Sequence, residues 1–136
     1  MILAACGPAS VAGPLVTVET RGGECFAAPC GATFVIDRDG QVRSADKPPN
    51  TVGTVPSELM GTLSTLVATT DFAIIKSRPF TGECPTNFDG QEIVYTFSTA
   101  SGPETIATCE FEIDPRLPLF AAVATALEAV NLVPAR

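Results

Sequence analysis

Histidine is absent from this chain. That gap alone removes much enzyme chemistry: Ser-His-Asp and Cys-His nucleophile systems lose their general base, and metal sites lose their commonest nitrogen ligand. Tryptophan is absent too, and tyrosine occurs once. Positive charge is scarce, with 8 Lys and Arg against 15 Asp and Glu and a net charge of −7. The basic residues are scattered, so the clustered footprint of a nucleic-acid-binding protein is excluded. No apolar run approaches the roughly 18 residues of a membrane span. Any membrane association therefore has to come through a covalent lipid. Neither a glycine-rich phosphate loop nor a G-x-S-x-G elbow occurs, and no cofactor is expected.

What the chain does have is Leu3-Ala4-Ala5-Cys6, a small-residue box closed by cysteine, as lipoprotein signal peptidase requires. Cys6 is the expected lipidation site. Only Met1-Ile2 precede the box, so the basic and apolar parts of a signal peptide are expected upstream. Residues 7–14 are rich in Gly, Pro and small side chains without hydrophobic period, which predicts a flexible tether. The expected organisation is a lipobox remnant and tether over 1–14 and a single globular domain over 15–133, held on the extracytoplasmic side of a membrane, at the periplasmic face or the cell surface. At 46% hydrophobic and 17% charged residues, the domain can bury a real core.

Of the 5 cysteines, setting Cys6 aside leaves Cys25, Cys30, Cys84 and Cys109, an even number that permits three pairings. Cys25–Cys30 and Cys84–Cys109 are favoured because each brackets one local unit, a short Pro-containing loop and a strand hairpin. A zinc site is the competing arrangement, but the spacing is poor for ligands.

Hydrophobic periodicity predicts an α+β fold: an antiparallel sheet of about five strands in the order β-ββ-α-ββ-α, with two helices packed on one face. Leu15 to Thr20 alternates as a half-buried strand. Ala32 to Ile36 and Gln41 to Arg43 form a hairpin around Asp39-Gly40, read as a two-residue turn. Lys47-Pro48-Pro49-Asn50 starts a loop. Pro56-Ser57-Glu58 opens a helix with Leu59, Met60, Leu63, Leu66 and Val67 at helical spacing. Asp71 to Ile75 reads as a strand or extended segment. Glu92 to Ser98 places Ile93, Tyr95 and Phe97 on one face, and Thr105 to Ile113 returns with Cys109, Phe111 and Ile113 inward and Glu110 and Glu112 outward. A last helix begins near Pro118, with Leu119, Phe120, Val123, Leu127 and Val130 as its stripe.

The set Cys25…Cys30, Phe34-Val35-Ile36, Asp39-Gly40, Val42, a helix and Asp71-Phe72 resembles an uncharacterised family of short bacterial lipoproteins and secreted proteins. There a close Cys pair precedes an Ile-x-x-Asp-Gly-x-Val hairpin and a helix ending near Asp-Phe. The resemblance covers about residues 15–75. This chain spaces its cysteines four residues apart rather than three and lacks the usual Pro-x-Tyr after the second. The resemblance implies an exported location and a fold, and no activity.

Glu110 and Glu112 on one strand face would suit paired-carboxylate chemistry, but alternation makes that face a solvated one. Asp37-Arg38-Asp39-Gly40 fails the EF-hand pattern, because aligning Gly40 to the loop glycine puts Val35 at the first ligand position. The candidate working surface is the loop over 77–90, about fourteen residues without internal periodicity. It carries Arg78, Phe80, Asn87 and Phe88, is stiffened by Pro79 and Pro85, and would be pinned by Cys84. Two functions are expected: a non-enzymatic accessory or binding protein for an envelope or secreted protein, or an inhibitor of a secreted protease whose 78–88 segment enters the active-site cleft in extended form.

Overall fold

Apolar and polar residues alternate along Leu15 to Thr20, and that stretch becomes the central strand β1 (Pro14–Arg21). The computed structural model describes residues 13–23, 31–45 and 50–132; Cys6, Cys25, Cys30 and tether residues 7–12 lie outside them, whereas Pro14, expected at the end of the tether, already opens β1 opposite Asp37, and the Gly13 carbonyl accepts from the Arg38 N–H at 3.0 Å. β1 is flanked by β2 (Gly31–Asp37) and β5 (Glu92–Thr99), followed outward by β3 (Gln41–Ser44) and β4 (Asn50–Thr54) on one side and β6 (Gly102–Ala107) on the other. All neighbours are antiparallel, in the order β4-β3-β2-β1-β5-β6. Helices α1 (Ser57–Thr69), α2 (Phe72–Lys76) and α3 (Pro118–Ala129) complete an α+β fold.

Register explains which face is covered. Val16 lies opposite Ile36 and Phe97, and Val18 opposite Phe34 and Tyr95, while Val42 aligns with Ile36 and Ile106 with Tyr95. These residues meet Met60, Leu63 and Val67 of α1, Phe72 and Ile75 of α2, and Leu119, Phe120, Val123 and Leu127 of α3 in one continuous core. Its centre is aromatic: the Phe97 ring lies 5.5 Å from Phe72 and 6.1 Å from Phe120, and Tyr95 is 5.0 Å from Phe120. Burial in this cluster raises the pKa of Tyr95, the neutral phenol being favoured. The opposite face carries Thr17, Thr33, Thr96 and Thr105 with the ion pairs Arg21–Glu19 and Arg43–Asp37, the half-solvated character of an antiparallel sheet.

Four expectations are corrected. Among the described residues the sheet has six strands rather than about five, because Asn50–Thr54 pairs with β3. Gly53 allows this: a Cβ there would lie 2.8 Å from Val130 Cγ1, so the end of α3 rests directly on the strand. Asp71 to Ile75 is not extended but begins a third helix. The Asp71 carboxylate accepts from the Ala73 N–H at 3.1 Å and caps it, and Phe72 and Ile75, three apart, are its buried residues. The β2–β3 connection is a three-residue loop, Arg38-Asp39-Gly40. The Gly40 N–H bonds the Asp37 carbonyl at 2.9 Å, and Gly40 but not Asp39 takes positive φ, at 92°. The strand expected to run to Ile113 ends at Ala107.

Candidate binding loop

The loop over 77–90 divides into two halves with different anchors. In the first, the Glu112 N–H bonds the Arg78 carbonyl at 2.8 Å and the Phe80 N–H bonds the Glu110 carbonyl at 3.0 Å, around a Pro79–Phe111 bridge. Residues 78–80 are thus folded back on the chain that follows β6. Phe80 is half-buried and crowds Gly82, where a Cβ would sit 2.8 Å from its ring.

The second half is a projecting hook. Cys84 is bonded to Cys109, with their Cα atoms 5.2 Å apart, and Pro85 then opens a single 3-10 turn, Pro85–Phe88. Proline suits that first position because its φ is already near the helical value and it needs no donor. The Asn87 N–H bonds the Cys84 carbonyl at 3.0 Å, the Gly90 N–H closes onto the Pro85 carbonyl at 2.8 Å, and Asp89 takes the left-handed conformation at φ 63°. Only glycine fits at 90, since a Cβ would lie 2.6 Å from that of Pro85. The hook sits on the end of β1, where a Cβ on Gly22 would meet Thr86 Cγ2 at 2.7 Å. At its tip Phe88 is 67% exposed.

Of the four loop residues singled out by sequence, Arg78, Asn87 and Phe88 are exposed and Phe80 is not. The expected Cys84–Cys109 pairing is present, but Cys109 lies in the turn 108–110 rather than on an inward strand face, and Phe111 makes an isolated bridge. Glu110 and Glu112 are both exposed, their backbones engaged in the 78–80 ladder. Cys84, Glu92 and Cys109 bring a carboxylate and two sulfurs within 4.8 Å of one another, yet the sulfurs are bonded to each other and supply no thiolate ligand. In the Asp37 to Gly40 turn both carboxylates have protein partners: Asp37 takes the Arg43 guanidinium at 2.6 and 2.9 Å, and Asp39 the Gln41 N–H at 3.0 Å.

The chain matches no protein-family model, no curated protein and no solved structure. Function therefore rests on the site's own chemistry. A disulfide of this kind is characteristic of extracytoplasmic domains, and among the described residues no helix is long and apolar enough to cross a membrane.

Sequence alone did not point to a second concavity, an open groove of about 870 Å³ between the α1–α2 junction and the β5–β6 hairpin. Its lining includes Leu15, Arg38, Asp71, Phe72, Ser98 and Glu104, drawn from segments far apart in the chain, so no local motif announces it. The Arg38 guanidinium donates to the Ser98 carbonyl at 3.0 Å, and Glu104 pairs with Lys76. Those charges already have partners.

Proposed function

We propose that this protein is a lipid-anchored, extracytoplasmic, non-enzymatic binding protein that engages an envelope or secreted partner through the hook at 84–90. The observation that carries the reading is Phe88, 67% exposed on a turn that starts from the Cys84–Cys109 bond and is closed by the Gly90–Pro85 hydrogen bond. A large apolar side chain in water on a stiffened loop lowers the ordering cost of association and supplies the aromatic anchor around which interfaces concentrate their energy. Anchoring through Cys6 rests on the Leu3-Ala4-Ala5-Cys6 box, and the resemblance to short bacterial lipoproteins supports the same compartment. A protease inhibitor is less well supported, because that role calls for an extended 78–88 segment. Pro85–Phe88 instead forms a 3-10 turn, and residues 78 and 80 are held by 110 and 112.

Two measurements test the reading. A photo-crosslinking side chain at position 88 should capture a discrete partner in cells that the same group at Ile74, itself 59% exposed, does not capture. Phe88→Ser should abolish the interaction while changing stability by no more than about 0.5 kcal/mol, as for other exposed positions. Equal capture at both positions would remove the hook as the contact. Separately, a palmitate analogue should label the precursor expressed with a complete signal peptide, and Cys6→Ala should go unlabelled and appear in the medium. Persistent labelling of that variant would refute the anchor.

A further inference from the structure

Beside the hook lies a hole. An open pocket of about 270 Å³ is lined by Phe80, Pro85, Ile93, Phe111 and Ile113, with the polar Gln91, Thr108 and Glu112 beside them. Apart from the exposed Pro85, the apolar members of this wall are half-buried, and Ile93, Phe111 and Ile113 pack against the outside of the main core. A dry cavity of about 150 Å³ already accommodates benzene, so the hole has room for one leucine- or phenylalanine-sized group. Pro85 belongs to both features, as wall of the hole and first residue of the turn that carries Phe88. Hook and hole are thus contiguous at Pro85, with Phe88, the knob, outside the wall itself.

Charge says what this surface takes. The segments framing it, 78–92 and 108–116, contain Glu83, Asp89, Glu92, Glu110, Glu112 and Asp114 against Arg78 and Arg116, and Arg21 of neighbouring β1 stands opposite Glu92, which leaves the surround net acidic. Arg116 is engaged by Asp114 at 3.2 Å, and its backbone N–H and guanidinium hold that carboxyl below the ordinary carboxylate range. An acidic rim repels a second copy of itself and draws in a cationic partner. We propose that knob and hole together bind a basic peptide segment bearing one large apolar side chain. That side chain fills the hole, Phe88 covers it from the hook, and flanking Lys or Arg residues meet Glu112 and Asp89. This rests on the hook being the contact surface and adds the chemistry of the partner.

The experiment titrates the intact, disulfide-bonded protein with the peptide Ac-Arg-Arg-Leu-Arg-Arg-amide and follows backbone amide shifts by NMR. Saturable changes are expected at Ile93, Thr108, Phe111 and Ile113, weakening with added salt. Replacing the peptide's Leu by Gly, or its Arg residues by Glu, should weaken binding at least about tenfold, and Glu112→Lys should weaken the original peptide in the same sense. Equal binding of the Gly peptide would mean adsorption by charge alone and overturn the proposal. Shifts confined to the 870 Å³ groove, or concentration-dependent shifts at the hole without peptide, signalling self-association, would overturn it as well. Crosslinking through position 88 that persists when the peptide does not bind leaves the hook as the contact and rejects only the basic-apolar chemistry. Failure of both rejects both.

Discussion

Phe97→Ala is expected to destabilise the protein by about 3–5 kcal/mol. Phe97 is 0% exposed and sits on β5 next to central strand β1, with ring neighbours Phe72, Tyr95 and Phe120 drawn from α2, its own strand and α3. Truncation removes the ring from a place where the sheet meets two helices. The cavity cannot close by moving one element without loosening another, which places this site at the costly end of large-to-small substitutions. Domains of this size have about 5–15 kcal/mol of total stability, so the variant should unfold at much lower denaturant concentration. Phe88→Ala is the matched control. The same chemical change at a 67% exposed position should cost no more than about 0.5 kcal/mol. Equilibrium denaturation of both variants decides the matter, and a Phe97→Ala loss below about 1.5 kcal/mol would contradict the packing described for the core.

Replacing Cys84 and Cys109 together by alanine should cost about 3.5 kcal/mol, the chain-entropy value for a closure of this length, the two residues being 25 apart in sequence. The loss has two consequences that a core substitution lacks. The bond closes the end of β6 onto the start of the hook, so the variant should keep its sheet while the 81–90 segment becomes open to proteolysis. It should also lose the peptide-induced shifts at the hole, because Pro85 is positioned from Cys84. Denaturation, limited proteolysis and the peptide titration on one sample give three readouts. A variant as stable as the parent, with an uncleaved hook, would show that Gly22, Thr86 and the Gly90–Pro85 hydrogen bond hold the turn unaided.

Much of the fold is legible in the chain because its signals are local. Ile93, Tyr95 and Phe97 alternate and do share the covered face of β5. Met60, Leu63 and Val67 recur at helical spacing and are the buried residues of α1. Pro118 opens α3 as a helix-starting proline should. The elements misread are those whose state is settled by partners distant in sequence. Asn50–Thr54 contains one apolar residue, Val52, which is exposed; it is a strand because β3 offers an edge and Val130 leaves space only for Gly53. Phe72 to Ile75 is apolar enough for either state, and a capping carboxylate together with a core that takes residues three apart selects helix. Residues 108–113 alternate like a strand, yet the cysteine at 109 and the ladder with 78–80 pull them out of the sheet.

The candidate site divides in the same way. From the sequence alone followed the lack of histidine chemistry, the acidic balance, the preferred Cys84–Cys109 pair and a long Pro-stiffened loop, since composition, spacing and backbone restriction need no neighbours. Tertiary structure alone decided between Phe80 and Phe88, two identical residues in one loop: the first turns under the chain beside Ile93 and Phe111, the second stands in water. Burial depends on what the rest of the fold brings alongside, and here a hydrogen-bonded return to Glu110 draws in one ring while a disulfide and a glycine-closed turn hold out the other.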